Sequence, residues 1–296
     1  MLLAACSSGP PRPPEPLESA SEFESRGIEM YNAGEYAEAI HQFEKAFGQY
    51  SRLDRREPMQ RNRIYTAQSA LLINDLPHAR TALDGLAELI DQTETPAAGA
   101  QRYRLWLLQS EYLMRIQRNK QALVLLESII GADDAPPAIL GSALINRAQL
   151  AVAAGSSDRD RWLQRAQSAA GVLNQNRLLR LKASALSDAG NNAAAEGLLM
   201  QALENYRGVL FQPGIAATLG ELGGIKQAQG SPDEARFFFR RALEIRLDLE
   251  DLPSAIELAS SLQAVETGSG NDAAAEAYAG QLKKLESLLT TKDSQL

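Results

Sequence analysis

Residues Leu219 to Ala242 read LGELGGIKQAQGSPDEARFFFRRA. Two amphipathic runs lie in this stretch, and Gly230 separates them. The first carries Leu222 beside the small Gly223. The second sets Ala235, Phe239 and Ala242 on one face at helical spacing. Ser231 stands where it could cap the second helix, Pro232 suits a first turn, and Glu234 occupies the carboxylate position of a capping box. Two helices joined by a tight turn are therefore expected.

The same signature recurs along the chain. A first unit runs from Leu17 to Tyr50, with Phe23, Gly27 and Tyr31, the break Gly34-Glu35-Tyr36, then Ala39, Phe43 and Ala46. A second has Ala67, the break Asn74-Asp75-Leu76, then Ala79, Leu83 and Leu86. Trp106, Ser110 and Leu113 precede Ala122, Leu126 and Ile129 in a third. Ala183, Leu186 and Gly190 precede Ala195, Leu199 and Ala202 in a fifth. The opening stretch is the sixth, and Gln263, the turn Gly268-Ser269-Gly270, then Ala275, Ala279 and Leu282 make a seventh. The register alanines 39, 79, 122, 195, 235 and 275 are separated by 40, 43, 73, 40 and 40 residues. The long gap has room for a degraded fourth unit between Pro137 and Ala170, with a turn at Gly155 and an apolar face of Trp162, Leu163 and Ala166. Pro58, Pro96, Pro136, Pro137, Pro213 and Pro253 punctuate the connections, each close to the start of a new first helix.

A small residue in the first helix, followed by alanine, a large apolar residue and alanine in the second, resembles the tetratricopeptide repeat. A spacing near 40 exceeds the usual 34 or so and points to longer second helices or connections. The resemblance implies an all-α, right-handed solenoid of about seven helix pairs over residues 17–289. That solenoid is expected to be an open coil without a catalytic centre, followed by a disordered tail at 290–296. Phe23, Phe43, Trp106, Trp162 and Phe239 are expected in its core.

The amino terminus carries a different signal. Cys6 is the only cysteine, preceded by Leu3, Ala4 and Ala5 and followed by Ser7, Ser8 and Gly9. The segment resembles a bacterial lipobox, which implies that Cys6 is acylated on sulfur and on its new amino group. Residues 1–6 then read as the remnant of a lipoprotein signal peptide. Only five residues precede the cysteine, without a basic start, so a truncated or misassigned start is expected. Three acyl chains would anchor firmly, where one binds only marginally. Ser7, in place of an aspartate, points to the outer membrane and a periplasm-facing body. Residues 7–16, SSGPPRPPEP, read as a semi-rigid spacer of about 30 Å. With one cysteine, no disulfide framework supports the fold.

Catalytic chemistry finds little in this sequence. His41 and His78 are the only histidines, no cluster has metal-ligand spacing, and no phosphate loop, zinc-protease helix or nucleophile elbow occurs. A non-enzyme without cofactor is expected. Asp133-Asp134 reads as a solvated turn before two prolines, and Gly220 with Gly224 as a site of close helix packing rather than a membrane dimer motif. No run approaches the roughly 18 apolar residues of a membrane span, so contact with a membrane is expected through the lipid anchor only. A net charge of −7 and a pI of 5.1 oppose nucleic-acid binding.

The charge is unevenly spread. Residues 51–182 carry 18 basic against 13 acidic side chains, while the total is acidic. Most basic residues are arginine, whose forked donors suit carboxylates. In tetratricopeptide arrays the first helices line the concave groove. Projecting each first helix onto that surface selects Tyr31, Arg61, Leu71, Arg104, Glu111, Arg115, Gln149, Arg177, Arg180 and Gln227 as partner-binding candidates. Arg104, Arg115, Arg177 and Arg180 are expected to receive an acidic or carboxylate-ended peptide. The competing reading leaves them solvated, or paired with acids such as Glu111 and Asp188. The asparagine and lysine arrangement of the chaperone-binding carboxylate clamp is not reproduced. The expected function is an envelope-anchored adaptor or scaffold lipoprotein that aids assembly or recruitment of envelope complexes. A self-associating structural lipoprotein is the alternative, and an enzyme or small-ligand binder a further one.

Overall fold

The computed structural model describes residues 15–91, 97–169 and 171–293. Fourteen helices and no strand occur among them. They form seven consecutive pairs: α1 (Glu15–Ala33) with α2 (Tyr36–Arg52), α3 (Arg56–Leu72) with α4 (Leu76–Asp91), and α5 (Ala97–Arg115) with α6 (Asn119–Ile130). Then come α7 (Pro137–Ala153) with α8 (Arg159–Ala166), and α9 (Val172–Asp188) with α10 (Asn192–Gly208). The last two pairs are α11 (Gln212–Ala228) with α12 (Pro232–Asp248), and α13 (Leu252–Gly268) with α14 (Asp272–Asp293). The all-α solenoid of seven helix pairs is thus as its sequence pattern implies.

The turn inside each pair needs one residue in the left-handed region. Gly34, Gly155, Gly190, Gly230 and Gly270 fill five of these positions, and Asn74 and Gln117 the other two. Glycine pays no steric penalty there, which is why the breaks are legible in the sequence. The first and sixth pairs interlock where a glycine meets an aromatic ring. A Cβ built on Gly27 would fall 2.6 Å from the ring of Phe43, and one on Gly223 the same distance from Phe239. These rings are buried, and with them the register alanines Ala39, Ala195 and Ala235.

Local details depart from the pattern. Ser231 makes no side-chain cap; its carbonyl accepts from the Ala235 N–H at 3.0 Å, while Glu234 pairs with Lys226 at 3.0 Å. The capping box loses Glu234 to a lysine one turn before the break. Close packing falls on Gly223, because Gly224 has nothing within 4 Å of a Cβ position and Gly220 meets only Leu258 at 3.4 Å. α1 begins at Glu15, two residues inside the expected spacer, and α14 continues to Asp293, past the expected end of the solenoid at 289. Cys6 and residues 7–14 of the spacer lie outside the described residues.

The fourth pair is degraded in a specific way: α8 is only eight residues long. Trp162 compensates by filling the space between elements. Its indole N–H donates to Asp158 at 2.8 Å, and the guanidinium of Arg147 lies 4.2 Å from its ring centre.

The coil does not stay open. Asn74, in the turn of the second pair, donates to Asp251 Oδ1 at 3.0 Å and to Ser254 Oγ at 2.9 Å, across 177 and 180 residues of sequence. Leu249, in the linker between the sixth and seventh pairs, joins the core of Tyr36, Ile40, Leu71 and Ile73. The side-chain oxygen of Gln212 lies 3.3 Å from where a Cβ of Gly34 would be. The first two pairs therefore sit on the edge formed by the linkers of the fifth to seventh. Each pair turns slightly relative to the last, and in this chain the accumulated turn brings the two edges into contact. The expectation of an open coil is corrected accordingly.

Candidate partner-binding groove

Curling the stack turns the inner surface of the first helices toward itself. Arg177 on α9 donates to Asn146 Oδ1 at 2.5 Å and Gln149 Oε1 at 3.3 Å, both on α7. Asn146 donates in turn to Glu111 on α5 at 3.1 Å, and the Arg177 guanidinium stands 3.9 Å from the same carboxylate. One polar ladder thus joins three successive first helices. Burial holds the Arg177 pKa below the usual arginine value, and Glu111 works against that shift.

Arg180, one turn further on, grips Glu221 of α11 with two bonds of 2.5 and 3.0 Å. Burial opposes its charge most strongly, but Glu221 and Tyr206 together outweigh burial and raise its pKa. Arg246, at the end of α12, donates to Asp251 at 2.9 Å and to the Pro213 carbonyl at 3.3 Å. Its pKa is lowered by burial first, countered by Asp251, and lowered further by the fields of Arg180 and Arg115. Arg177 feels those same two neighbours. Arg115 and Arg180 therefore lie near enough to both Arg177 and Arg246 for their charges to be felt, though these arginines come from α5, α9 and α12.

Three of these four cations have an internal acid. Arg115 has no ion pair or hydrogen bond among the described residues, and it is exposed. Arg104, eleven residues earlier on the same helical face, is likewise exposed and without such a partner among them. Tyr31 enters the region from the first pair. It stacks edge-on to Tyr36 and Tyr65 at 5.5 and 5.9 Å, and burial, Tyr65 and Glu111 all raise its pKa.

The other candidates are placed differently. Arg61 binds Glu24 through Nε and Nη2 at 2.5 and 2.9 Å, and Tyr50 donates to the same buried carboxylate at 2.9 Å. Burial, with Glu24 beside it, pushes the Tyr50 hydroxyl up to about 12. Leu71 is only 4% exposed and belongs to the inter-pair core; the closing of the coil covers it. Gln149 and Gln227 are exposed. Asp188, the other acid weighed as an arginine partner, forms no ion pair among the described residues, so Arg177 and Arg180 use Glu111 and Glu221.

Sequence reasoning missed Asn146, Glu221, Arg246, Asp251 and Asn74. A signal existed for part of this: Glu24 and Arg61 are 37 residues apart, Glu111 and Asn146 35, and Arg180 and Glu221 41. Each is about one repeat, the separation at which neighbouring first helices meet. Arg246, bonded to the Pro213 carbonyl 33 residues back, follows the same spacing; Asn74 carries no such signal, because coil closure brings it to Asp251.

Among the described residues, no group of three or more His, Cys, Asp or Glu side chains could hold a metal ion, and no helix is long and apolar enough to cross a membrane.

These features define a solenoid of the tetratricopeptide type. Residues 174–248, which span nearly all of α9 to α12, match the model of the tetratricopeptide repeat. A Rap protein complexed with Competence and Sporulation Factor is similar in structure, with a TM-score of 0.64, 15% identity, and coverage of 92% of this chain and 77% of that one. Aspartyl phosphate phosphatase F from Bacillus subtilis follows with a TM-score of 0.54 and 14% identity, covering 97% of this chain and 78% of its own. At such identities the likeness is one of fold. No curated protein matches this chain in sequence.

Proposed function

We propose that this protein is an adaptor that holds a segment of another protein inside its curled solenoid, and that Cys6 anchors it by lipid to the periplasmic face of a bacterial outer membrane. The observation that carries the binding part is the charge bookkeeping of the interior. Arg177, Arg180 and Arg246 are each matched by an acid, and Arg115 is left over beside them. A single carboxylate from a partner would complete the set, as a charge-assisted bond. Arg104 extends the same face toward the start of α5. The fold resembles that of a Rap protein held with a factor, which agrees with an interaction role; the identity of that factor is not carried over.

The closed coil narrows the partner to an extended segment or a chain end, since a folded domain cannot enter an interior whose edges are bonded at Asn74 and Asp251. The anchor rests on the Leu-Ala-Ala-Cys segment and its proline-rich continuation.

Affinity capture from detergent-solubilised envelopes, with wild type beside an Arg104→Glu/Arg115→Glu variant, tests the binding part. Loss of a specific captured protein in the variant, with circular dichroism unchanged, supports it. An identical captured set refutes it. Metabolic labelling with a fatty acid tests the anchor: label on the full chain that vanishes in Cys6→Ser supports it, and no label on the wild type sinks it.

A further inference from the structure

Arg246 ties together the two places at which the first two pairs meet the far edge of the coil. Its Nη1 donates to Asp251 Oδ2 at 2.9 Å, and Oδ1 of the same carboxylate accepts from Asn74 at 3.0 Å. Its Nη2 donates to the Pro213 carbonyl at 3.3 Å, and Gln212, the residue before, packs against the turn at Gly34. Asp251 is fully buried, and its Oδ1 also accepts from the Ser254 N–H at 3.2 Å. One guanidinium thus holds in place both parts of the contact that closes the coil.

The same guanidinium also senses the interior. Tyr112, three residues before Arg115, and Ile245, next to Arg246, pack against one apolar cluster, to which Leu249 belongs. That cluster brings α5 and the end of α12 together. The charges of Arg115 and Arg180 act against that of Arg246, while Asp251 and Glu257 favour it.

The two opposing cations are not equivalent. Arg180 is gripped by Glu221, so its charge is already matched within the fold. Arg115 is exposed and has no ion pair or hydrogen bond among the described residues. Its field on Arg246 is therefore one that an anion from outside can cancel. Removing a like charge favours the charged form of its neighbour, and with it the hold of Arg246 on Asp251.

We propose that Arg246 couples the interior to the closing contact: neutralising Arg115, as a partner's carboxylate would, draws Arg246 onto Asp251 and tightens the coil around its ligand. The ligand half rests on the binding reading given above, whereas the coupling is a property of the protein alone. Arg246 is a positioning residue here, acting through Asp251 on Asn74. Because such coupling is reciprocal, a coil with a weakened closing contact holds the anion less tightly.

Hydrogen exchange on the full chain, followed at residues 74–76 and 249–255, reads the closing contact. Without any partner, Arg115→Gln should slow exchange at both segments about threefold or more. Arg102→Gln, which removes a charge from the same helix about 20 Å away along its axis, should leave both unchanged. In an Asn74→Ala background the slowing by Arg115→Gln should be confined to 249–255, because the bond that carries it across to the other edge is gone. Unchanged or faster exchange in Arg115→Gln, an equal effect of Arg102→Gln, or slowing at 74–76 that survives Asn74→Ala overturns the proposal. Acetylated hexaglutamate, with hexaglutamine as its control, tests the ligand half. It should slow exchange at both segments of the wild type and bind Asn74→Ala about threefold more weakly, and hexaglutamine should do neither. Hexaglutamate that fails to bind counts against the acidic-partner reading and leaves the coupling to be decided by Arg115→Gln; hexaglutamate that binds without slowing exchange overturns the coupling.

Discussion

Gly223 and Gly224 are neighbours in the middle of α11, and the interlock of the sixth pair requires alanine to act on them differently. At either position alanine gains about 1 kcal/mol of helix propensity over glycine. At Gly224 nothing lies within 4 Å of the added methyl, so Gly224→Ala should stabilise by about that amount. At Gly223 the methyl would fall 2.6 Å from Cδ1 and Cε1 of Phe239, a ring that is itself buried. Relieving that overlap costs about 1–3 kcal/mol. The net effect of Gly223→Ala is then from neutral to about 2 kcal/mol destabilising, and the two variants should differ by about 1–3 kcal/mol. Urea unfolding followed by circular dichroism reads the difference. Because repeat arrays need not unfold in one step, hydrogen exchange across residues 219–242 should accompany it. Adding Phe239→Leu to Gly223→Ala should recover much of the loss, a coupling that a double-mutant cycle isolates. If Gly223→Ala stabilises as much as Gly224→Ala, the ring does not seat on the glycine, and the reading of the repeat signature as an interlock is refuted.

Closure of the coil should be separable from its stacking. Asp251→Ala removes the acceptor of Asn74, a cap on the Ser254 N–H and the partner of Arg246, and should cost about 3–5 kcal/mol as the loss of one side of a buried ion pair. Asn74→Ala should cost about 1 kcal/mol and speed exchange at both 74–76 and 249–255; faster exchange at only one of them would refute the contact. Glu266, bonded to Arg236 and Asn271, has a pKa lowered chiefly by the arginine. Its contribution is present above the ordinary glutamate value of about 4.3 and is lost as pH falls through its lower folded value. Glu266→Gln should therefore flatten the acid limb of stability, and an unaltered limb would count against the pair. Tyr36 and Tyr50 are both pushed up to about 12, by burial first. Their neutral forms stabilise the fold fully below pH 10 or so, and that stability should fade as pH rises from about 10 to 12; ultraviolet titration showing every tyrosine ionised by pH 10 would contradict this.

Periodicity carried in the sequence determined the helix pairs. Gly34, Gly190, Gly230 and Gly270 mark turns because only their backbones enter the left-handed region without cost, and Ala39, Ala195 and Ala235 recur because two helices approach closely there. These are local demands, met within one repeat, so they leave a mark at fixed spacing. Capping at Ser231 was also legible yet misleading, since Lys226 competes for Glu234 from within the preceding helix.

What the tertiary structure alone decided is the fate of the charges and of the inner surface. Arg61, Arg177 and Arg180 look alike in the chain, yet each is bound to a residue about one repeat away that no local pattern designates, while Arg115 is not. The contact of Asn74 with Asp251 depends on the sum of small rotations over several pairs. No stretch of sequence encodes such a sum. It also decides that Leu249 is buried while Val209, at the same place in the linker forty residues earlier, is exposed.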